Sequence, residues 1–235
     1  MTEDEINEML SGMKATETAE TETVTEEQSE VIPVKFEDLQ AVNPDVYAWI
    51  TVPGTDIDYP ILQHASDNSY YLMHNIDGSY GYPGCIYTEN MNSKDFTDNN
   101  TVIYGHNMKN GSMFAQLHKY EDPDFFDANR EVLIYLPDEV LHYTIFAAHI
   151  YDDRHLLYSF DFADPEVYQK YLDSIFSIRD MSANIDKDIT VTTDDQIITL
   201  VTCIGSQPNN RLLVQAVLTD REPGTETARM AATTE

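Results

Sequence analysis

Apolar positions along the chain fall into short runs punctuated by turn residues. Val46-Tyr47-Ala48-Trp49-Ile50-Thr51-Val52 reads as a strand closed by Pro53-Gly54. Ile57 to Leu62 alternates and reads as a second strand. Cys85-Ile86-Tyr87 follows Pro83-Gly84, and Thr101-Val102-Ile103-Tyr104 runs into Gly105-His106-Asn107. Glu131–Leu136 and Val140–Tyr151 are separated by Pro137-Asp138-Glu139, a turn signal that predicts a hairpin. Ile189–Thr193, Gln196–Cys203 and Arg211–Thr219 close the series.

Helical spacing is sparser. A short helix opens at Phe36 and stops near Asn43-Pro44, a helical turn covers Ser66–Met73, and Met113–Leu117 suits another short helix. Asp164-Pro165 supplies an N-cap and a first-position proline. The helix they open runs to about Asp180, with Tyr168, Tyr171, Leu172, Ile175 and Phe176 on one face. About eight strands that do not alternate with helices exclude a doubly wound parallel sheet and predict a mainly β, closed barrel.

The two ends of the chain differ from this middle. Residues 1–34 are rich in Glu and Thr and read as an acidic flexible stalk, with a short helix over Asp4–Met13. Residues 35–220 form the expected domain, and residues 221–235 read as a disordered tail. The net charge of −29, from 13 Lys and Arg against 42 Asp and Glu, excludes nucleic acid as a partner because nothing would neutralise phosphates. It also disfavours docking on anionic lipid. No run reaches the roughly 18 apolar residues of a membrane span. Met1-Thr2-Glu3-Asp4-Glu5 lacks the basic and apolar regions of a signal peptide.

Two cysteines, Cys85 and Cys203, are too few for a disulfide framework, and neither sits in a CxxC pair. Cys203 ends the run Thr199-Leu200-Val201-Thr202. A cysteine in an apolar strand is either inert packing or, at a strand end, a nucleophile. Two features favour the nucleophile: its place at the end, and Arg211 opening the next strand in a chain so short of cations. Among the seven histidines only His106 sits at the end of an apolar strand. His142, His149 and His155 have no metal-pair spacing. A thiolate at Cys203, an acid–base imidazole at His106 and a guanidinium at Arg211 would together suit acyl transfer through a thioester. Cys85, beside Gly84 and with no local cation, is expected to be a small buried residue not bridged to Cys203.

At these residues the chain resembles the sortases. Thr199-Leu200-Val201-Thr202-Cys203 followed by Arg211 is similar to their TLxTC…R signature, and Tyr104 to Phe114 resembles the class B segment around the histidine. Asn43-Pro44-Asp45, Trp49-Ile50, Pro53-Gly54-Thr55, Ile57 to Pro60 and Asp67-Asn68 with Tyr70-Tyr71-Leu72 resemble class B as well, and the likeness spans about Phe36 to Thr219. The resemblance implies an eight-stranded sortase-type β-barrel with short N-terminal helices and a longer helix inserted between strands 6 and 7. It implies a cysteine transpeptidase that cuts a surface protein's C-terminal sorting signal (Asn-Pro-x-Thr-like) after Thr. The acyl group then passes to a peptidoglycan precursor amine.

His106, Cys203 and Arg211 take the catalytic positions, while Asn68, Leu72 and Thr202 fall at substrate-binding ones. No cofactor or metal is implied, and a monomer is expected. The family's amino-terminal membrane anchor has no match here, so the acidic stretch reads as a stalk on the extracytoplasmic face of the membrane. Val201 and Gly205 stand where some class B members carry a serine and an acidic residue. The alternatives are a cysteine peptidase that only hydrolyses and a pilin-polymerising sortase; a non-enzymatic surface β-module is disfavoured because the chain end carries no sorting motif.

Overall fold

The computed structural model describes residues 30–226. Ten strands are present among them: β1 (Glu30–Ile32), β2 (Val46–Val52), β3 (Ile57–Leu62), β4 (Ile86–Thr88), β5 (Asn100–Tyr104), β6 (Glu131–Tyr135), β7 (Glu139–Asp152), β8 (Asn184–Ile185), β9 (Ile197–Ile204) and β10 (Gln207–Glu226). Their order is β1-β10-β9-β5-β4-β3-β2-β6-β7-β8, and β10 also pairs with β7. That last pairing closes eight strands into a barrel, leaving β1 and β8 as outer additions. Most neighbours are antiparallel; β3–β4 and β5–β9 are parallel.

The central strands β5 and β9 are buried on both faces, which is why they read as unbroken apolar runs. Ile103, Ile198 and Leu200 point into the barrel and meet Ile50, Phe114 and Val214. Val102, Ile197 and Val201 point outward, into a second core with Phe146 and Leu213. The Pro165–Phe176 helix covers that outer core with Tyr168, Tyr171, Leu172 and Ile175. It lies between the sixth and seventh barrel strands, β7 and β9, where it was expected. Asp164 caps it, accepting from the Glu166 amide at 2.8 Å.

Polar groups between helix and barrel satisfy one another. Thr199 Oγ1 donates to Asn100 Oδ1 (2.9 Å), and Gln215 Nε2 donates to Tyr171 Oη (2.8 Å). His149 Nε2 lies 3.1 Å from Gln215 Oε1.

Several boundaries differ from the expectations. Glu30–Ile32 joins the sheet outside the barrel as β1, parallel to the Gly224–Glu226 end of β10. Arg221–Glu226 likewise continues β10 instead of opening a tail, pairing with β7 and placing the Arg221 guanidinium 2.7 Å from Glu139. The first is too short and the second too polar to announce itself; free edges of long neighbouring strands recruit them. Ile189–Thr193 is not a strand, and the short β8 upstream takes the place beside β7. A helix at Pro123–Ala128, capped by Asp122, was not foreseen. The Asp4–Met13 helix lies outside the described residues.

Gly105 follows β5 and needs its missing side chain. A Cβ there would sit 2.5 Å from Ile86 Cδ1 and 2.6 Å from Phe114 Cγ. Its φ is not in the left-handed region, so the requirement is close approach and not backbone conformation. Gly105→Ala therefore overpacks the barrel end, and chemical denaturation is expected to show a loss of about 1–3 kcal/mol.

Burial holds His149 below its ordinary value, so the folded ring is neutral near pH 7. Its contribution to stability is intact above pH ~6.5 and is lost as pH falls, because the unfolded ring gains the proton more readily. The fall in unfolding free energy between pH 7.5 and 5 is expected to be smaller in His149→Gln than in the parent.

Candidate active site

The outward face of β9 runs Ile197, Thr199, Val201, Cys203. The helix covers the first part of this face and stops short of its end. Val201 is buried, whereas Cys203 is exposed and carries a free thiol. Across the antiparallel ladder Arg211 of β10 lies directly opposite Cys203, and on its other side faces Tyr151 of β7. The loop expected before Arg211 is mostly strand: Gln207 already pairs with Ile204, and a register shift absorbs the residues up to Arg211. On the parallel side Tyr104 of β5 pairs with Val201, and the Gly105 amide donates to the Val201 carbonyl (3.1 Å). The chain thus leaves β5 beside Cys203, carrying His106 with it.

His106, Cys203 and Arg211 line one cleft of about 390 Å³. The cleft is the uncovered end of the outer core, floored by Val201, Leu213, Tyr87 and Tyr104. The Tyr87 and Tyr104 rings stack at 5.4 Å, and burial raises both hydroxyls far above their ordinary range. His106 Nε2 donates to the Leu72 carbonyl at 2.7 Å, and the Tyr82 ring meets the imidazole edge-on at 5.2 Å. The imidazole is thus held by a backbone oxygen, with no carboxylate bonded to it among the described residues. Arg211 Nη1 donates to the carbonyls of Pro208 and Asn210, each at 2.9 Å. It forms no salt bridge among the described residues, unlike Arg130, Arg154 and Arg221. A guanidinium tied down by carbonyls keeps its charge available to the cleft.

The backbone of Cys203 is held as well. Asn107 Nδ2 donates to its carbonyl at 2.9 Å, and His118 Nε2 stands 3.1 Å from the same oxygen. Neither residue was singled out from sequence; His118 lay beside Lys119-Tyr120 with nothing to mark it, and only the fold brings it to β9. Thr202 is buried and donates from Oγ1 to the Gly105 carbonyl (2.9 Å), tying β9 to the chain before His106. Leu72 lines the cleft and is partly exposed. Asn68 does not line it; its Oδ1 accepts from the Asn90 amide at 2.9 Å.

Cys85 is buried, unbridged and hydrogen-bonded to the His74 carbonyl, and burial pushes its thiol up to about 12. The remaining histidines have separate partners: His142 meets Glu30, His149 meets Gln215, and His155 meets Glu89. One group among the described residues, Glu30, His142 and Glu222, has cation-ligand spacing, and none of its members lines the cleft.

A thiol, an imidazole and a guanidinium on the ends of three neighbouring strands can perform acyl transfer. Known proteins agree with that chemistry. Residues 50–219 match the family model described as the Sortase domain. Sortase B of Listeria monocytogenes is 36% identical over 188 residues, covering 78% of this chain and 74% of that protein. The crystal structure of Clostridium perfringens sortase B superposes with a TM-score of 0.70 at 33% identity, covering 79% of this chain and all of that one. A Streptococcus pyogenes class B sortase involved in pilus biogenesis superposes at 0.68, with 29% identity over 79% of this chain and 98% of that one. Motifs, barrel and relatives converge: the chain belongs to the sortase family, as a class B cysteine transpeptidase of cell-wall sorting.

Proposed function

We propose that Cys203, His106 and Arg211 carry the transpeptidation. The Cys203 thiolate attacks the carbonyl of the threonine in the sorting signal. His106 gives its proton to the departing amine, leaving the acyl group on sulfur as a thioester. An incoming amine attacks that thioester, His106 takes its proton, and the thiolate leaves. Arg211 offsets the negative charge on the oxygen in both tetrahedral states. The observation that carries this assignment is the direct pairing of Arg211 with Cys203 in a cleft that His106 also lines.

The substrate reading is a surface protein with an Asn-Pro-x-Thr-like signal, and a peptidoglycan precursor as the amine. Leu72 offers an apolar wall to the signal. Asn68, a turn earlier, meets only a peptide that runs beyond the cleft, and Thr202 acts through its bond to Gly105. The apolar Val201 and the bare Gly205 leave the signal to be read by other parts of the wall. A domain that acts on cell-wall substrates belongs on the extracytoplasmic face of the membrane. A second reading, polymerisation of pilin subunits, draws support from the relative involved in pilus biogenesis.

Cys203→Ala is expected to abolish both peptide cleavage and the thioacyl adduct seen by intact-protein mass spectrometry; undiminished cleavage would refute the nucleophile. Arg211→Ala should lower kcat about 10²–10³-fold, the usual cost of losing an oxyanion donor, measured with a sorting-signal peptide and excess amine. Iodoacetamide at pH 8 is expected to alkylate Cys203 and spare Cys85, whose thiol stays protonated until about 12; peptide mapping reads the two sites separately.

A further inference from the structure

Away from the cleft, the outer face of the sheet gathers an imidazole and several carboxylates from neighbouring strands. Glu30 on β1 pairs with Gly224, and Glu222 lies two residues before Gly224, on the same face of β10. The β10–β7 register sets Glu222 opposite Val140 and Asp220 opposite His142. On the other side of β7, Leu133 of β6 lies opposite His142, so Glu131, two residues from Leu133, shares the face of His142. Register alone therefore converges Glu30, Glu222, His142 and Glu131. They rim the small core in which Ile32, Tyr135 and Val140 pack.

The side chains complete the convergence. One ligand atom each from Glu30, His142 and Glu222 lies within 4.8 Å of the others. His142 Nε2 stands 3.2 Å from Glu30 Oε2 without forming a hydrogen bond, and its Nδ1 stands 3.7 Å from Glu131 Oε1. An imidazolium gripped by two carboxylates would close to about 2.7–2.9 Å. Two ligands each about 2.0–2.1 Å from one zinc ion at the tetrahedral angle stand about 3.4 Å apart, which is near the separation of Nε2 from Oε2. A carboxylate facing the second ring nitrogen is the usual support of a metal-bound histidine. The Glu30 carboxylate covers Nε2, but its side chain is 38% exposed and sits on a three-residue strand, so it can turn outward to admit an ion.

Charge points the same way. Among the described residues no lysine or arginine forms an ion pair with Glu30, Glu131 or Glu222, and Arg221, next to Glu222, is committed to Glu139. Like charges on adjacent strands repel, and a divalent cation turns that repulsion into attraction. One imidazole with two carboxylates suits a borderline ion such as Zn²⁺ better than Ca²⁺ or Mg²⁺, which prefer oxygen alone.

We propose that Glu30, His142 and Glu222 form a binding site for a divalent transition-metal ion, with Zn²⁺ the best match and water as the remaining ligand. Glu131 orients the imidazole. The ion fastens β1, the first described strand, to β7 and β10. The site lies outside the cleft and stands whether or not Cys203 acts as the nucleophile.

The test is calorimetric titration of the full, tag-free chain with zinc chloride. It is done on Cys203→Ala, because a thiol and an imidazole in the cleft also suit zinc. One zinc per chain is expected, with a rise in melting temperature of about 5 °C at about a hundredfold excess over Kd. His142→Gln or Glu222→Gln in the same background is expected to remove this binding, and Glu131→Gln to weaken it about tenfold. The two ligands are on different strands and both are partly exposed, so a folding defect in one variant leaves the other to decide. Hydrogen exchange of the peptide containing Glu30–Ile32 is expected to slow when zinc is added to Cys203→Ala, and to be unmoved by zinc once His142→Gln is introduced. Absence of zinc binding would make His142 an ordinary ion-paired histidine. Binding that survives both substitutions would put the zinc elsewhere, and equal binding of calcium that ignores His142→Gln would make the patch an unselective acidic surface; each of these overturns the proposal.

Discussion

The geometry of the site depends on β9 being paired on both sides in fixed register. Its parallel partner β5 brings Tyr104 beside Val201, and its antiparallel partner β10 brings Arg211 opposite Cys203. A slip of one residue in either ladder would turn Cys203 into the barrel or Arg211 away from it. Burial on both faces forbids such a slip, since Leu200 and Val201 belong to different cores and neither can exchange places with the other. The positioning of the reactive groups is thus set by packing well away from them. The bonds that finish it are short and local: Thr202 to the Gly105 carbonyl, and Asn107 to the Cys203 carbonyl.

That dependence explains what the sequence makes legible. Strands whose two faces are both buried stand out as apolar runs, so β5 and β9 could be read nearly to their ends, while β2, β3 and β7 follow from apolar or alternating stretches bounded by turn residues. The groups proposed as reactive sit where such runs stop, and His106, Cys203 and Arg211 could be picked out for that reason. Residues that act through tertiary pairing leave no such mark. The three-residue Glu30–Ile32 and the polar Arg221–Glu226 are strands made by the edges they join. His118 and His155 sit in unremarkable surroundings and gain partners only across the fold, at Cys203 and Glu89 respectively. Asn68 shows the converse: placed at a substrate-binding position by likeness, it has its carbonyl engaged by Asn90 and lies off the cleft lining.

The strong acidity of the chain changes meaning once the cleft is seen. Most of its carboxylates cap turns or lie on the surface, as Asp67, Asp77, Asp95 and Asp180 do, each held below its ordinary value by hydrogen bonds from a nearby serine or threonine. Such groups contribute solubility and local turn geometry. Three of the arginines are neutralised by partners: Arg130 by Asp186, Arg154 by Asp152, and Arg221 by Glu139. Arg211 is held by carbonyls instead, so no carboxylate among the described residues neutralises it. In a chain with this excess of acid, a cation without a carboxylate at contact distance requires that the fold keep carboxylates away from it, and the β10 turn does this by wrapping its own carbonyls around the guanidinium.

The same logic accounts for Val201 and Gly205. Polar side chains at those positions would offer hydrogen bonds beside the thiol, but Val201 is already required by the outer core and pairs with Tyr104, so its identity is settled by packing. Control of Cys203 passes to groups that reach its backbone from the other side, Asn107 and His118, and control of His106 passes to the Leu72 carbonyl. Backbone and neutral donors hold both reactive residues, so neither is committed to a carboxylate before substrate arrives. The one buried carboxylate of the cleft, Glu89, is kept on the opposite wall and tied to His155.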